Sequence, residues 1–362
     1  MKKNKKMLIG FGILALLVVM FLSFKDYQPS TDGDVINIGA VFILTGSGSE
    51  LGEEGVQSLE IAKDIMEEAC LRRGLKVKFF VEDSKSTPQG ALNAYNALKF
   101  KVPNFDYVIS HGSFAGGILS EPTKKDGKIL LSTGANAEPT KSNPYFVVNA
   151  NDEVVIAGKF KEAVADCENT FVFFQDDDFG RSVLTALKKE LRQFDSCPFS
   201  SSTDAKNAVL PALSKLGNKS GVIIIGYGGN TVNIIKNLRQ GGFKGPIFGS
   251  SEMRTDVNVE ALKSYATDIS IMQYFMPSDT ILERYKQKFG RDTLSVADIQ
   301  TLNAILLALN SYITCADAGN LHPNRESLKE AFFSDKNMRV APCVLRMHDQ
   351  RIYYKMEFKE VE

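Results

Sequence analysis

The chain has 362 residues, 44% of them hydrophobic and 24% charged, which is enough to bury a sizeable core and favours two domains over one. Lys plus Arg and Asp plus Glu number 43 each, so the basic surplus needed to grip a phosphate backbone is missing and nucleic acid is not an expected partner. Five cysteines with no C-x-x-C spacing exclude a disulfide scaffold and suggest no metal site.

Residues 1–24 open with Lys2, Lys3, Lys5 and Lys6 and continue as an apolar run interrupted only by Gly10, Gly12 and Ser23. That run exceeds an ordinary signal-peptide core and approaches the roughly 20 residues a helix needs to cross a bilayer. The following FLSFKDYQPS offers no small-residue cleavage site and no cysteine to take a lipid. We therefore expect an uncleaved N-terminal anchor. Its lysines would stay in the cytoplasm and everything after Lys25 would lie on the periplasmic or cell-surface side of the cytoplasmic membrane. A long cleaved signal peptide, leaving a soluble protein, is the alternative. In both cases the globular part is exported.

After a polar linker, VINIGAVFIL reads as a strand, and Val56, Leu59, Ala62, Met66 and Ala69 recur at helical spacing. Between them lies FILTGSGSELGEEG, residues 42–55, a glycine-rich turn that can hold an anion: a pyrophosphate or a carboxylate. KVKFFVED is the next strand, and 87–102 the next helix, with Pro88 in its first turn. YVISHG, KILLSTG and YFVVNAN follow, with a helix after the first. Strand and helix in alternation imply crossover units and a parallel sheet covered on both faces. The beat then restarts with helices over 152–166, 180–194, 205–216 and 231–241, between strands TFVFFQDDD, a polar stretch near CPFSSS, GVIIIGYGG and GPIFGSSE. DISIMQYFMP leads to helical patterns over 280–289, 295–318 and 324–333, and the chain closes with two alternating strands around His348, Asp349 and Gln350, a hairpin. Cys167 and Cys197 each fall just before an expected strand, so both would sit at one sheet edge. A bridge can form there in an oxidising compartment, and free thiols are the alternative.

Ligands of open parallel sheets bind beyond the carboxyl ends of the strands, where TGSGSELG, SHGSFAGG, STGANAEP, QDDDFG, GYGGN and GSSEM all fall. A dinucleotide fits poorly. Gly46, Gly48 and Gly52 place the last glycine one residue late, and Glu82 and Asp83 lie too far along to meet a ribose. Hydrolysis has no G-x-S-x-G elbow, and His111, the one candidate base, has no assignable nucleophile. Asp176, Asp177 and Asp178 lack the remaining ligands of a calcium loop and read as a solvated turn, with a cleft-facing carboxylate as the alternative. No cofactor, no metal and no reaction are expected.

The progression IGAVFILTGSGSELGEEGVQSLEIAKD, YVISHGSFAG, KILLSTGANAEPT, FVFFQDDDFGRS and GVIIIGYGGN resembles the type I periplasmic binding proteins of the leucine/isoleucine/valine-binding class, from Val35 to the C-terminus. The resemblance implies an α/β fold of two lobes, each a mostly parallel sheet flanked by helices, joined by three crossovers. Lobe 1 would comprise 35–149 and 277–336, and lobe 2 would comprise 150–276 and 337–362, with the terminal hairpin returning to the second lobe. It also implies capture of an amino acid or related carboxylate or amide for an ABC-type membrane permease. Carried over residue by residue, the carboxylate would meet Ser113, Phe114 and Ala115 and then Gly134, Ala135 and Asn136, while Phe179 and Tyr227 would close from the second lobe. Leu51 stands where an aromatic is common and Ser251 where the ammonium-binding acid is expected, with Glu252 one residue later as its substitute. A membrane-tethered ligand sensor acting through another chain is the second reading, and an exported enzyme the third.

Overall fold

The structure is a computed structural model describing residues 35–361 except 103, 218, 276, 292 and 342. The expected anchor over 1–24 and the linker after it lie outside the described residues. The chain begins with β1 (Val35–Phe42), α1 (Ser49–Leu71), β2 (Lys76–Asp83), α2 (Pro88–Lys101), β3 (Tyr107–Ser110), α3 (Ser113–Lys125), β4 (Ile129–Ser132) and β5 (Phe146–Val148). It then enters a second unit of the same plan: α4 (Glu153–Ala163), β6 (Asn169–Gln175), α5 (Asp178–Glu190), β7 (Asp195–Phe199), α6 (Ser202–Leu213), β8 (Ser220–Ile225), α7 (Gly229–Gln240), β9 (Ile247–Gly249), α8 (Asp256–Leu262) and β10 (Ile269–Tyr274). Four helices follow, α9 (Asp279–Phe289), α10 (Val296–Asp317), α11 (Arg325–Phe332) and α12 (Asp335–Met338), then strands β11 (Val344–His348), β12 (Arg351–Tyr354) and β13 (Met356–Glu360).

Two mostly parallel sheets result, in the orders β11-β12-β5-β4-β3-β1-β2 and β13-β10-β9-β8-β6-β7. The chain crosses between them after β5, after β10 and between β12 and β13. Helix starts follow their caps: Thr87 accepts from the Gly90 amide ahead of Pro88, and Ser295 and Asp298 form a reciprocal capping box at the start of α10. α10 is apolar on nearly every side because it is a core helix, buried along most of its length against α1 and its neighbours. The second sheet has its own core, in which Phe173, Phe199, Ile224, Ile235 and Leu238 are almost fully buried.

Two expectations are corrected. The terminal hairpin does not return to the second lobe: β12 pairs parallel with β5 in the first sheet, and only β13 joins the second, antiparallel to β10. The hairpin itself forms where the sequence places it, with Asp349 and Gln350 both at positive φ, the geometry of a tight two-residue turn. Gln350 then fixes the pairing partner by donating to the carbonyls of Asn143 and Phe146 at 2.8 and 2.6 Å. The two cysteines, by contrast, do not share an edge. Cys197 lies within β7 opposite Phe173, whereas Cys167 precedes β6 and packs over Gly221, and all five thiols are free.

Candidate ligand-binding cleft

The glycine-rich turn after β1 holds a carboxylate, and it belongs to the chain itself. Asp83, at the end of β2, accepts from the amides of Leu44 and Thr45 at 3.0 and 3.2 Å and from the Thr45 hydroxyl at 2.6 Å. Ser86 closes the turn from behind by donating to the carbonyls of Thr45 and Ser47. The acid that a dinucleotide site would turn toward a ribose is thus engaged in shaping the turn. Gly52 lets α1 press onto β1, since a Cβ there would stand 1.9 Å from the Ile43 carbonyl oxygen. So braced, the turn presents Ile43 and Leu51 to a cavity of about 40 Å³.

That cavity lies between the carboxyl ends of the two sheets. The first contributes Gly112, Ser113 and Phe114 at the start of α3, together with Thr133, Gly134 and Ala135 after β4. α3 begins at Gly112 with no side-chain cap, so its first amides are open to an anion. Gly134 must be glycine, because a Cβ would lie 2.4 Å from the backbone of Ser113. The second sheet contributes Asp177, Phe179, Tyr227 and Glu252, and the floor is Val296, Ala297 and Gln300 in the first two turns of α10. The walls meet at the rim, where a Cβ on Gly48 would lie 3.2 Å from the Tyr227 ring.

Of the eleven residues singled out from sequence, Leu51, Ser113, Phe114, Gly134, Ala135, Phe179, Tyr227 and Glu252 line this one cavity. Ala115, Asn136 and Ser251 do not. Ala115 is buried within α3. The Asn136 side chain accepts from the Glu138 amide two residues on, at 3.0 Å, while its own amide donates weakly to the Ser113 hydroxyl at 3.4 Å. Ser251 is buried with its hydroxyl unpartnered.

Electrostatically the walls differ. Among the described residues no lysine or arginine lines the cavity, yet two carboxylates do. Asp177 caps α5 through the Gly180 amide at 2.9 Å and accepts a short hydrogen bond from the Tyr227 hydroxyl. Burial pushes its carboxyl above the usual range, and the Tyr227 hydroxyl opposes that rise. Its neighbours Asp176 and Asp178 are exposed, so the acidic run divides into a solvated part and one cleft-facing carboxylate. Glu252 is pushed up to about 7 by burial, and its Oε2 is buried with no hydrogen-bond partner. His111 also touches the cavity, but its ring stacks on Phe42 at 3.8 Å, its Nε2 meets the Thr301 hydroxyl at 2.9 Å, and burial drives its pKa down to about 3. It stays neutral at any ordinary pH and is a packed structural residue rather than a base.

Two α/β units on a shared cavity, joined by three chain crossings, define the two-lobed architecture of the type I periplasmic binding protein fold. Residues 35–335 match the family described as periplasmic binding protein, and the chain belongs to that family. The structure is similar to the leucine-binding protein LivK from Thermotoga maritima (TM-score 0.78, 16% identity, covering 90% of this chain and 97% of that one). It is also similar to an ABC-transporter solute-binding protein from R. palustris crystallised with benzoate (TM-score 0.76, 15% identity, covering 91% and 93%). A third is the branched-chain amino acid transporter substrate-binding protein LivJ from Streptococcus pneumoniae in complex with isoleucine (TM-score 0.71, 16% identity, covering 90% and 99%). No curated protein sequence matches the chain.

Proposed function

We propose that the protein traps a small ammonium-bearing solute, of the size of an amino acid or smaller, between its lobes and delivers it to an ABC-type permease. The observation that carries this reading is a cavity lined by two carboxylates, Asp177 and Glu252, and, among the described residues, by no cationic side chain, with Glu252 Oε2 buried and without a hydrogen-bond partner. A buried acid without a partner costs free energy that a ligand cation would recover. On the opposite wall, the uncapped start of α3 and the Ser113 hydroxyl suit the carboxylate of a zwitterion. Ile43, Leu51, Phe114 and Phe179 supply an apolar surround that strengthens both interactions by excluding water. The N-terminal segment would tether the trap to the outer face of the cytoplasmic membrane, beside its permease.

A thermal-shift screen of the detergent-solubilised full chain against amino acids, amines, amides and carboxylates tests the reading, because a bound solute raises the melting point by mass action. The reading requires a rise with at least one ammonium-bearing compound, recovered unchanged. A compound consumed during the assay would place the protein among enzymes instead.

A further inference from the structure

The three connections between the lobes are knotted together by buried side chains. The first carries Asn149, Asn151 and Asp152, the second leaves β10 at Tyr274, and the third is the single residue Lys355 after Tyr354. Tyr354 donates from its hydroxyl to Asn149 Oδ1 at 2.6 Å and from its amide to Asn151 Oδ1 at 2.9 Å, while Asn151 Nδ2 donates to the Tyr354 carbonyl at 2.9 Å. The Asn151 amide donates to the Tyr274 hydroxyl at 3.1 Å, and the Tyr274 and Tyr354 rings stack at 4.9 Å. The Phe275 amide, just past Tyr274, donates to the Lys355 carbonyl at 2.9 Å. Asn149, Asn151, Tyr274 and Tyr354 are each no more than 3% exposed, so water cannot replace these partners while the knot is intact.

None of those four residues reaches the cavity, but Gln300 does. Its side-chain Nε2 donates to the Tyr274 hydroxyl at 3.3 Å, and its backbone carbonyl accepts from Asn149 Nδ2 at 2.7 Å. A primary amide has two donor hydrogens and an acceptor oxygen, so one hydrogen engaged by Tyr274 leaves a second donor and the oxygen for an occupant of the cavity. The Tyr274 hydroxyl in turn receives both Gln300 and the Asn151 amide, on the connection where the chain first changes lobe.

We propose that Gln300 is a positioning residue that links the occupant of the cavity to the hinge through Tyr274, an inference that rests on the solute-trap reading. An occupant that orients the Gln300 amide fixes the Tyr274 phenol, and with it the first and second connections. A contact that exists in one hinge state and not the other is what lets a ligand favour closure. Gln300 would thus act on affinity partly through residues the solute never touches.

The test is a double-mutant cycle on the full chain in detergent, with Gln300→Met, Tyr274→Phe and both together, read two ways. Calorimetry with L-leucine as the probe should show each single variant weakening binding by about tenfold and the double variant by about the same factor, since residues in one chain of contacts are not additive. A roughly hundredfold loss in the double variant, or wild-type affinity in Tyr274→Phe, would overturn the link. Hydrogen exchange without any ligand supplies the second reading: Gln300→Met should speed exchange of the Asn151 amide relative to the core strands, and an unchanged rate would refute the link. Failure of L-leucine to bind the wild type would exclude only L-leucine as the solute, and the exchange arm would then decide the link by itself.

Discussion

The two walls of the cleft are built by different means. The first-lobe wall is backbone: the turn after β1 is pinned by Asp83, α1 lies against the Ile43 carbonyl through Gly52, and the loop after β4 lies against α3 through Gly134. The second-lobe wall is side chain: Asp177, Tyr227 and Glu252 project from loop ends, and two of the three are acids displaced from their usual titration range by burial. A wall of close backbone approaches has one shape. A wall of titratable groups has an adjustable charge. The division suits a trap in which one lobe offers a fixed anion seat and the other closes with a cation-seeking group.

The sharpest break of the first wall is Gly52→Ala, which drives a methyl into the Ile43 carbonyl. Overpacking of this kind should lower stability by about 3 kcal/mol, measured by urea denaturation, with no change in its pH dependence. Glu252→Gln breaks the second wall. Losing a charge-assisted partner should weaken an ammonium ligand by about 2 kcal/mol in calorimetry and leave a ligand without an ammonium unaffected. The same variant alters the pH profile. A carboxyl raised to about 7 in the folded protein keeps its proton while the unfolded chain loses it, so wild-type stability should be full below about pH 4.5 and should decline as pH rises to 7. Glu252→Gln should flatten that decline, and an identical melting profile in the two proteins would show that Glu252 titrates normally. The smallest effect is expected of Ser113→Ala. It removes one hydroxyl beside the α3 amides and should weaken a carboxylate-bearing ligand by about 1 kcal/mol, with no effect on a plain amine.

Much of the fold was legible because strand and helix alternate with strong periodicity, and the expected starts at Thr87, Ser295 and Asn324 coincide with the caps of their helices. The destination of the terminal hairpin was not legible. Alternation says which residues pair, but the choice of sheet rests on distant contacts, among them Gln350 on two carbonyls about two hundred residues earlier and Tyr354 on Asn149 and Asn151. β13 was absorbed into the hairpin because a single residue, Lys355, separates it from β12. Within the cleft, loops at strand ends stood out through their glycines. Val296, Ala297 and Gln300 did not, because they belong to a helix whose pattern is apolar all round and whose contact with the cavity depends on packing alone. Asp177 was masked by its neighbours: three consecutive aspartates read alike in sequence, and only the cap geometry of α5 turns the middle one inward. Asn136 shows the opposite failure, since an amide in a promising loop is engaged by the backbone of its own loop.

On the proposed reading the second-lobe acids await a cation while the first lobe seats an anion. L-leucine, isopentylamine, which lacks its carboxylate, and 4-methylpentanoate, which lacks its ammonium, titrated into the full chain at pH 7.5 by calorimetry separate the two seats. L-leucine should bind tightest, the amine more weakly and the carboxylate weakest; tighter binding by 4-methylpentanoate than by isopentylamine would overturn the reading.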